Sequence, residues 1–366
     1  MFRAGSCKLC YNFYAMNIKR LVKPNAYSLT AYQAKEIPCR VKLDANESPY
    51  GFMVAHKVIR SFKTNRYPDP EAMALKQLIS KETGVKPENI LQGNGSDELI
   101  YYLITAFGGP VLYPVPTFSM YGIITQALGE KKVEVPLNQD FDLDEKRLLM
   151  EIRRQKPRLI FLSSPNNPTG NCFSSGSILK IIESASSASL VVVDEAYQPF
   201  ASDKGFIPLL GDYRNLLILR TLSKMGLAGL RVGFLIADKE VIEQVNKVRL
   251  PFNLNSLSQA AAMEILKDGK AFKENVRLIV SERGKLFSEL SKIAGIIPYP
   301  SEANFILFSV EDADGVFNEL LKKGVLVRNM KGVAGSCLRV TVGSPKENRI
   351  FINALKRIMK IKVYKI

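Results

Sequence analysis

Three short apolar runs constrain this chain more than anything else: Leu159-Ile160-Phe161-Leu162, Leu190-Val191-Val192-Val193 and Leu216-Leu217-Ile218-Leu219. Each is continuous instead of alternating, which is the signature of a strand buried on both faces. Helical stretches separate them, so the pattern is that of an α/β domain with a mostly parallel sheet. Each run also gives way to a polar, loop-like motif at its carboxyl end, the edge where open α/β sheets bind ligands. Further upstream, Ile90-Leu91-Gln92 leads into Gly93-Asn94-Gly95-Ser96-Asp97-Glu98. Leu99, Leu103 and Phe107, with Ile100 and Ile104 beside them, then form one helical face.

At 366 residues the chain is long enough for a large core and divides into two domains. Residues 1–15 are either a disordered extension or a start placed upstream of Met16; they lack the long apolar core and cleavage site of a signal peptide. A polar arm, 16–45, holds Pro24 and Pro38. The large domain covers 46–257. The smaller α+β domain, 258–366, opens with a helical region running to about Ile293. Strands follow at Asn304–Phe308, Val325–Val327 and Leu338–Val342, and then a final helix with Ile352, Leu355 and Ile358.

Composition removes several function classes. No apolar run approaches the roughly 20 residues of a membrane span, so a soluble, cytoplasmic protein is expected. The net charge of +16 suits anionic ligands, but the basic residues are spread out, with no nucleic-acid module among them. Five scattered cysteines argue against a disulfide framework. His56 is the sole histidine, and Cys7-x-x-Cys10 has no second pair nearby, so neither a Ser-His-Asp triad nor a metal site is expected. Chemistry without histidine must lean on lysine, carboxylate, tyrosine or a cofactor.

The third apolar run delivers such a lysine. Leu219-Arg220-Thr221-Leu222-Ser223-Lys224 is followed by Met225-Gly226-Leu227-Ala228-Gly229-Leu230-Arg231. A lysine among anion-binding groups can form an imine with a phosphorylated aldehyde, and pyridoxal phosphate is that aldehyde. Taken alone, the segment reads more readily as a surface lysine in a glycine loop. Gly93-x-Gly95-Ser96-Asp97 opening a helix is either an anion cradle or a capped helix start. Glu98 stands where a dinucleotide fingerprint wants glycine. Ser163-Ser164-Pro165-Asn166-Asn167-Pro168-Thr169-Gly170 is a turn-rich loop able to fix a side-chain amide. Val193-Asp194-Glu195-Ala196-Tyr197 sets a carboxylate directly after a strand, either as a helix cap or as the anion that keeps a pyridine nitrogen protonated.

In this order the motifs resemble the fold-type I pyridoxal-phosphate aminotransferases and, within them, the histidinol-phosphate aminotransferase family. Leu29-Thr30-Ala31-Tyr32-Gln33, Leu43-Asp44-Ala45-Asn46-Glu47, Arg66-Tyr67-Pro68, Pro116-Thr117-Phe118-Ser119-Met120-Tyr121 and Leu338-Arg339-Val340-Thr341-Val342-Gly343 complete the match. The resemblance implies amino transfer between L-histidinol phosphate and 2-oxoglutarate, in histidine biosynthesis, by a homodimer. Phosphothreonine decarboxylation and aromatic or aspartate transamination are its rivals. Lys224 would carry the cofactor, Asp194 would face its ring nitrogen, and Asn167 and Tyr197 would hold its 3-oxygen. Ser96, Asp97, Ser223 and Arg231 would surround the phosphate, with Tyr67 supplied by a second subunit. Phe118, where many relatives have tyrosine, would stack on the ring. Arg339 would clamp a substrate carboxylate, with Tyr32, Asn46 and Arg328 also binding substrate and Arg328 near its phosphate. Arg231 follows Lys224 by seven residues, where many relatives have eight.

Overall fold

The computed structural model describes residues 18–30, 37–60, 63–267 and 269–363. The extension at 1–15 and Tyr32 lie outside the described residues.

Seven strands form the main sheet: β1 (Ile90–Asn94), β2 (Val111–Val115), β3 (Lys132–Pro136), β4 (Leu159–Ser163), β5 (Leu190–Asp194), β6 (Leu216–Thr221) and β7 (Val232–Ile236). Their spatial order is β1-β7-β6-β5-β4-β2-β3. All pairings are parallel except those of β7, which runs antiparallel to both β1 and β6. The apolar runs become the centre of this sheet because alternate residues of one strand feed two separate cores. Ile160, Val191 and Ile218 face one core, and Phe161, Val192 and Leu217 face the other. β3 instead alternates exposed and buried residues, as an edge strand does, with Val133 and Val135 inward.

Two helices matter for the site. α1 (Ser96–Phe107) buries Leu99, Ile100, Leu103 and Ile104 against the sheet. α2 (Met120–Ala127) buries Tyr121 and Ile124 on the same side. In the carboxyl-terminal part, the helical region of the sequence reading is two helices, Ser256–Leu266 and Gly269–Ser291. Gly269, a poor helix former, opens the second. Four antiparallel strands, Arg328–Asn329, Cys337–Thr341, Phe305–Val310 and Ile296–Pro298, pair in that order. They share a third core with the final helix, Pro345–Val363, through Ile352, Leu355 and Ile358. Val41–Lys42 pairs in parallel with Val325–Leu326, so Val41 and Leu43 belong to this third core. That pairing brings Asp44 and Asn46 to the seam between the two sheets.

Candidate active site

The carboxyl ends of β4, β5 and β6 and the start of α1 open into one pocket. It is lined by Ser96, Asp97, Phe118, Ser163, Asn167, Asp194, Ala196, Tyr197, Thr221, Ser223, Lys224 and Arg231. The motifs are spread over residues 96–231, and the parallel register brings them together. Ser163 pairs with Asp194, and Asp194 with Leu219, so the loops that follow these strands stand side by side.

Asp194 lies at the floor, 3% exposed. Its Oδ2 accepts from the Tyr121 hydroxyl at 2.6 Å and its Oδ1 from the Ala196 backbone N–H at 3.0 Å. Burial pushes its carboxyl up to about 6, against the pull of these two hydrogen bonds. Lys224 sits in a single 3-10 turn, Ser223–Met225, directly after β6, and its Nζ is 5.8 Å from the centre of the Tyr197 ring. Tyr197 is buried, and its hydroxyl oxygen accepts from Asn46 Nδ2 at 3.0 Å. Asn46 is held in the left-handed region at φ 55° by Thr341 Oγ1 on its N–H and Asn304 Nδ2 on its carbonyl. A residue read only as a substrate contact therefore orients Tyr197.

The Ser96 end of the pocket is built from backbone as much as from side chains. Gly95 is the N-cap of α1 at φ 82°, and no side chain caps the helix. Ser96 and Asp97 line the pocket, so the uncapped helix start, with its dipole, is open to an anion there. A Cβ at Gly95 would sit 2.5 Å from Arg231 Nη2, and one at Gly233 would sit 2.6 Å from the Ser96 nitrogen. Only glycine lets strand, helix start and guanidinium approach this closely. Arg231 Nη1 donates to Ser223 Oγ at 3.4 Å and Nη2 to Asp97 Oδ2 at 3.3 Å. The seven-residue spacing from Lys224 is absorbed at two left-handed residues, Gly226 at φ 95° and Arg231 at φ 53°. A Cβ at Gly226 would collide with the Tyr50 carbonyl oxygen.

Arg339 enters from Cys337–Thr341, 8% exposed. Its Nη1 donates to Asn167 Oδ1 at 2.5 Å and its Nη2 to the Asp44 carbonyl at 2.8 Å. Its guanidinium also lies 5.2 Å from the Phe305 ring centre. Arg328 is exposed and stands opposite Arg339 in the ladder, which puts both side chains on one face of that sheet. Tyr67 is not in the pocket of its own chain: it is 81% exposed and stacks on Phe252 at 4.5 Å.

Two contributors escaped the sequence reading of individual sites. Tyr121 closes the Pro116–Tyr121 motif but is silent until α2 is seen to aim it at Asp194. Thr221 is in the lysine segment, and its Oγ1 accepts from the Ser223 N–H at 3.1 Å and donates to the Val232 carbonyl at 3.2 Å. The donor set fits pyridoxal phosphate. A primary amine would meet the aldehyde, a buried carboxylate the ring nitrogen, Tyr197 and Asn167 the 3-oxygen, and a helix start with Ser223 and Arg231 the phosphate.

Comparison with known proteins agrees with this geometry. The family model for aminotransferase class I and II matches residues 37–355. A protein named histidinol-phosphate aminotransferase from Caldanaerobacter subterraneus subsp. tengcongensis is 42% identical, over 93% of this chain and 99% of its own. One of the same name from Aquifex aeolicus is 44% identical, over 91% of this chain and 96% of its own. The crystal structure of histidinol-phosphate aminotransferase from Sinorhizobium meliloti, in complex with pyridoxal-5'-phosphate, superposes with a TM-score of 0.83 at 26% identity, covering 93% of this chain and 98% of that one. The fold is that of the fold-type I aminotransferases, and the chain belongs to the aminotransferase class I and II family.

Proposed function

We propose that the chain is a pyridoxal-phosphate enzyme that transfers the amino group of L-histidinol phosphate to 2-oxoglutarate, as a cytoplasmic homodimer in histidine biosynthesis. The observation that carries the reading is the convergence of Lys224, Asp194, Tyr197, Asn167, Ser223 and Arg231 on one pocket, with Arg339 at its side. Relatives bearing the name of that activity match more than nine-tenths of the chain.

Bound there, pyridoxal phosphate supplies an electron sink for the electrons of a substrate carbon that loses a proton. The protein's own groups do the rest. Lys224 Nζ would hold the cofactor through its aldehyde and, as a neutral amine, would take the proton from the substrate's α-carbon. Asp194 holds a negative charge against the ring nitrogen. Tyr197, oriented by Asn46, and Asn167 donate at the ring's 3-oxygen, and the α1 start with Ser223 and Arg231 fixes the phosphate. Phe118 covers the ring face. Arg339 offers a planar fork to the carboxylate of 2-oxoglutarate or glutamate, and Arg328 offers charge to the substrate phosphate.

The homodimer reading rests on an exposed apolar face. Tyr67 and Phe252 stack there, and Asn253 ties the segment to Glu98 at the α1 start at 2.6 Å. Leu250, two residues before Phe252, is also exposed, 65%. A second copy covering this face would place each Tyr67 beside the other's phosphate cradle. Light scattering of the purified protein should give twice the chain mass; a monomer at micromolar concentration would remove the partner's Tyr67 from the site.

The activity itself is tested by following glutamate formed from 2-oxoglutarate with histidinol phosphate, beside phosphothreonine, tyrosine and aspartate. Histidinol phosphate should lead by about 100-fold or more in kcat/KM, since unmatched polar groups cost the wrong substrate that much. Carbon dioxide from phosphothreonine without glutamate formation would replace the reading with a decarboxylase.

A further inference from the structure

Asp194 is not held by its own strand alone. Of its two oxygens, Oδ1 is bound by the adjacent turn through Ala196, and Oδ2 by a hydroxyl from a different element, Tyr121 of α2. Tyr121 is wholly buried and clamped. Its ring stacks on Phe161 at 4.8 Å, 15° from parallel, and Phe118 meets it edge-on at 5.6 Å. Phe118 and Asp194 both line the pocket, so Tyr121 sits directly behind the site. A buried hydroxyl costs free energy unless it is bonded, so a phenylalanine would serve the packing better. Here the hydroxyl makes a charge-assisted bond to a buried carboxylate.

We propose that Tyr121 is a positioning residue whose hydroxyl fixes Asp194 and keeps it an anion, so that the shared proton resides on the cofactor's ring nitrogen. The inference rests on the pyridoxal-phosphate reading above. Three ionisable groups act on Asp194, namely Tyr121, Asp97 and Lys224, and Tyr197 in turn acts on Tyr121. Burial, and to a lesser extent Asp97, favours the protonated acid; the Tyr121 bond opposes it most strongly, followed by the Ala196 N–H and Lys224. The Tyr121 phenol is itself pushed well above its ordinary range by burial and by Asp194, so it remains a donor across the working pH range. Between a carboxylate and a ring nitrogen that share one proton, the more basic atom keeps it. Removing the donor makes Asp194 more basic and moves that proton from nitrogen to oxygen, with none gained or lost.

The test is nitrogen NMR of holoenzyme reconstituted with pyridoxal phosphate labelled with ¹⁵N in the ring. Wild type should show a pyridinium resonance, and Tyr121→Phe should move it toward neutral pyridine. In a parallel titration of apoenzyme, Tyr121→Phe should raise the cofactor's dissociation constant by about tenfold, the loss expected of one charge-assisted hydrogen bond. Incorporation of 3-fluorotyrosine at position 121 supplies a stronger donor of nearly the same size, makes Asp194 less basic and should move the resonance further toward the pyridinium limit than in wild type. That arm decides the matter alone if Tyr121→Phe does not fold. A wild-type pyridinium resonance left in place by both changes would overturn the inference and leave the cofactor reading standing. No cofactor resonance in the wild type would instead sink the cofactor reading itself.

Discussion

The floor of the pocket and its rim are built in different ways. Asp194, Tyr197 and Lys224 stand at the ends of central strands, with Asp194 and Tyr197 almost wholly buried and Asp194 gripped on both oxygens. Tyr67 and Arg328 stand outside, one on an exposed stack with Phe252, the other on a two-residue edge strand. The floor needs nothing beyond one chain to reach its geometry, whereas on the proposed reading the rim would be completed by substrate or by a second copy. Changes on the floor should therefore act on the chemistry and on cofactor binding, and changes on the rim on affinity for particular substrates.

The largest effect belongs to the floor. Lys224→Ala should lower kcat by about 10³-fold or more, because covalent attachment and proton transfer are lost together. Steady-state amino transfer checks this, and near-normal turnover would break the distinction at its root. Asp194→Asn should cost about 10²- to 10³-fold in kcat, the scale of a lost preorganised charge.

Next comes pH. Asp194 titrates near 6 in the folded chain against a usual 3.8, so it is protonated below that point and has no charge for a ring nitrogen. Cofactor binding to the apoenzyme should weaken by up to about tenfold per unit below pH 6, and Asp194→Asn should abolish that slope. Stability of the apoenzyme runs the other way. Between about pH 6 and 4 the folded chain binds this proton more tightly than the unfolded chain, so this group stabilises the fold as pH falls. Melting curves of wild type and Asp194→Asn, differenced across that window, measure it.

Arg339, buried beside the pocket, and Arg328, on the rim, give smaller, more selective effects. Arg339→Lys keeps charge but loses the fork now shared by Asn167 and Asp44, and should raise KM for 2-oxoglutarate by about tenfold with a lesser change in kcat. Arg328→Ala should raise KM for histidinol phosphate by a factor of about 5, in keeping with an exposed ion pair, and leave that for 2-oxoglutarate unchanged. Equal effects on both substrates would mean that Arg328 does not discriminate between them.

The same contrast governs what could be read in the sequence. β4, β5 and β6 were legible because they are apolar on both faces, and the polar motifs at their ends come directly after them. β2 and β3 were not: Pro114 interrupts one, and the other alternates as an edge strand does. The antiparallel β7 carries Gly233, whose role is to let the α1 start come close, which no local pattern announces. Lys224, Asp194 and Asn167 were legible as motif residues. The Tyr121–Asp194 and Asn46–Tyr197 bonds were not, because their partners lie 73 and 151 residues apart and meet only through the fold.

All of this depends on the amine at position 224 being the group that holds the coenzyme. Holoenzyme reduced with borohydride, digested and mapped by mass spectrometry should carry a phosphopyridoxyl group on Lys224 and on no other lysine. A map with that peptide unmodified at saturating pyridoxal phosphate, or with the label elsewhere, would contradict the account.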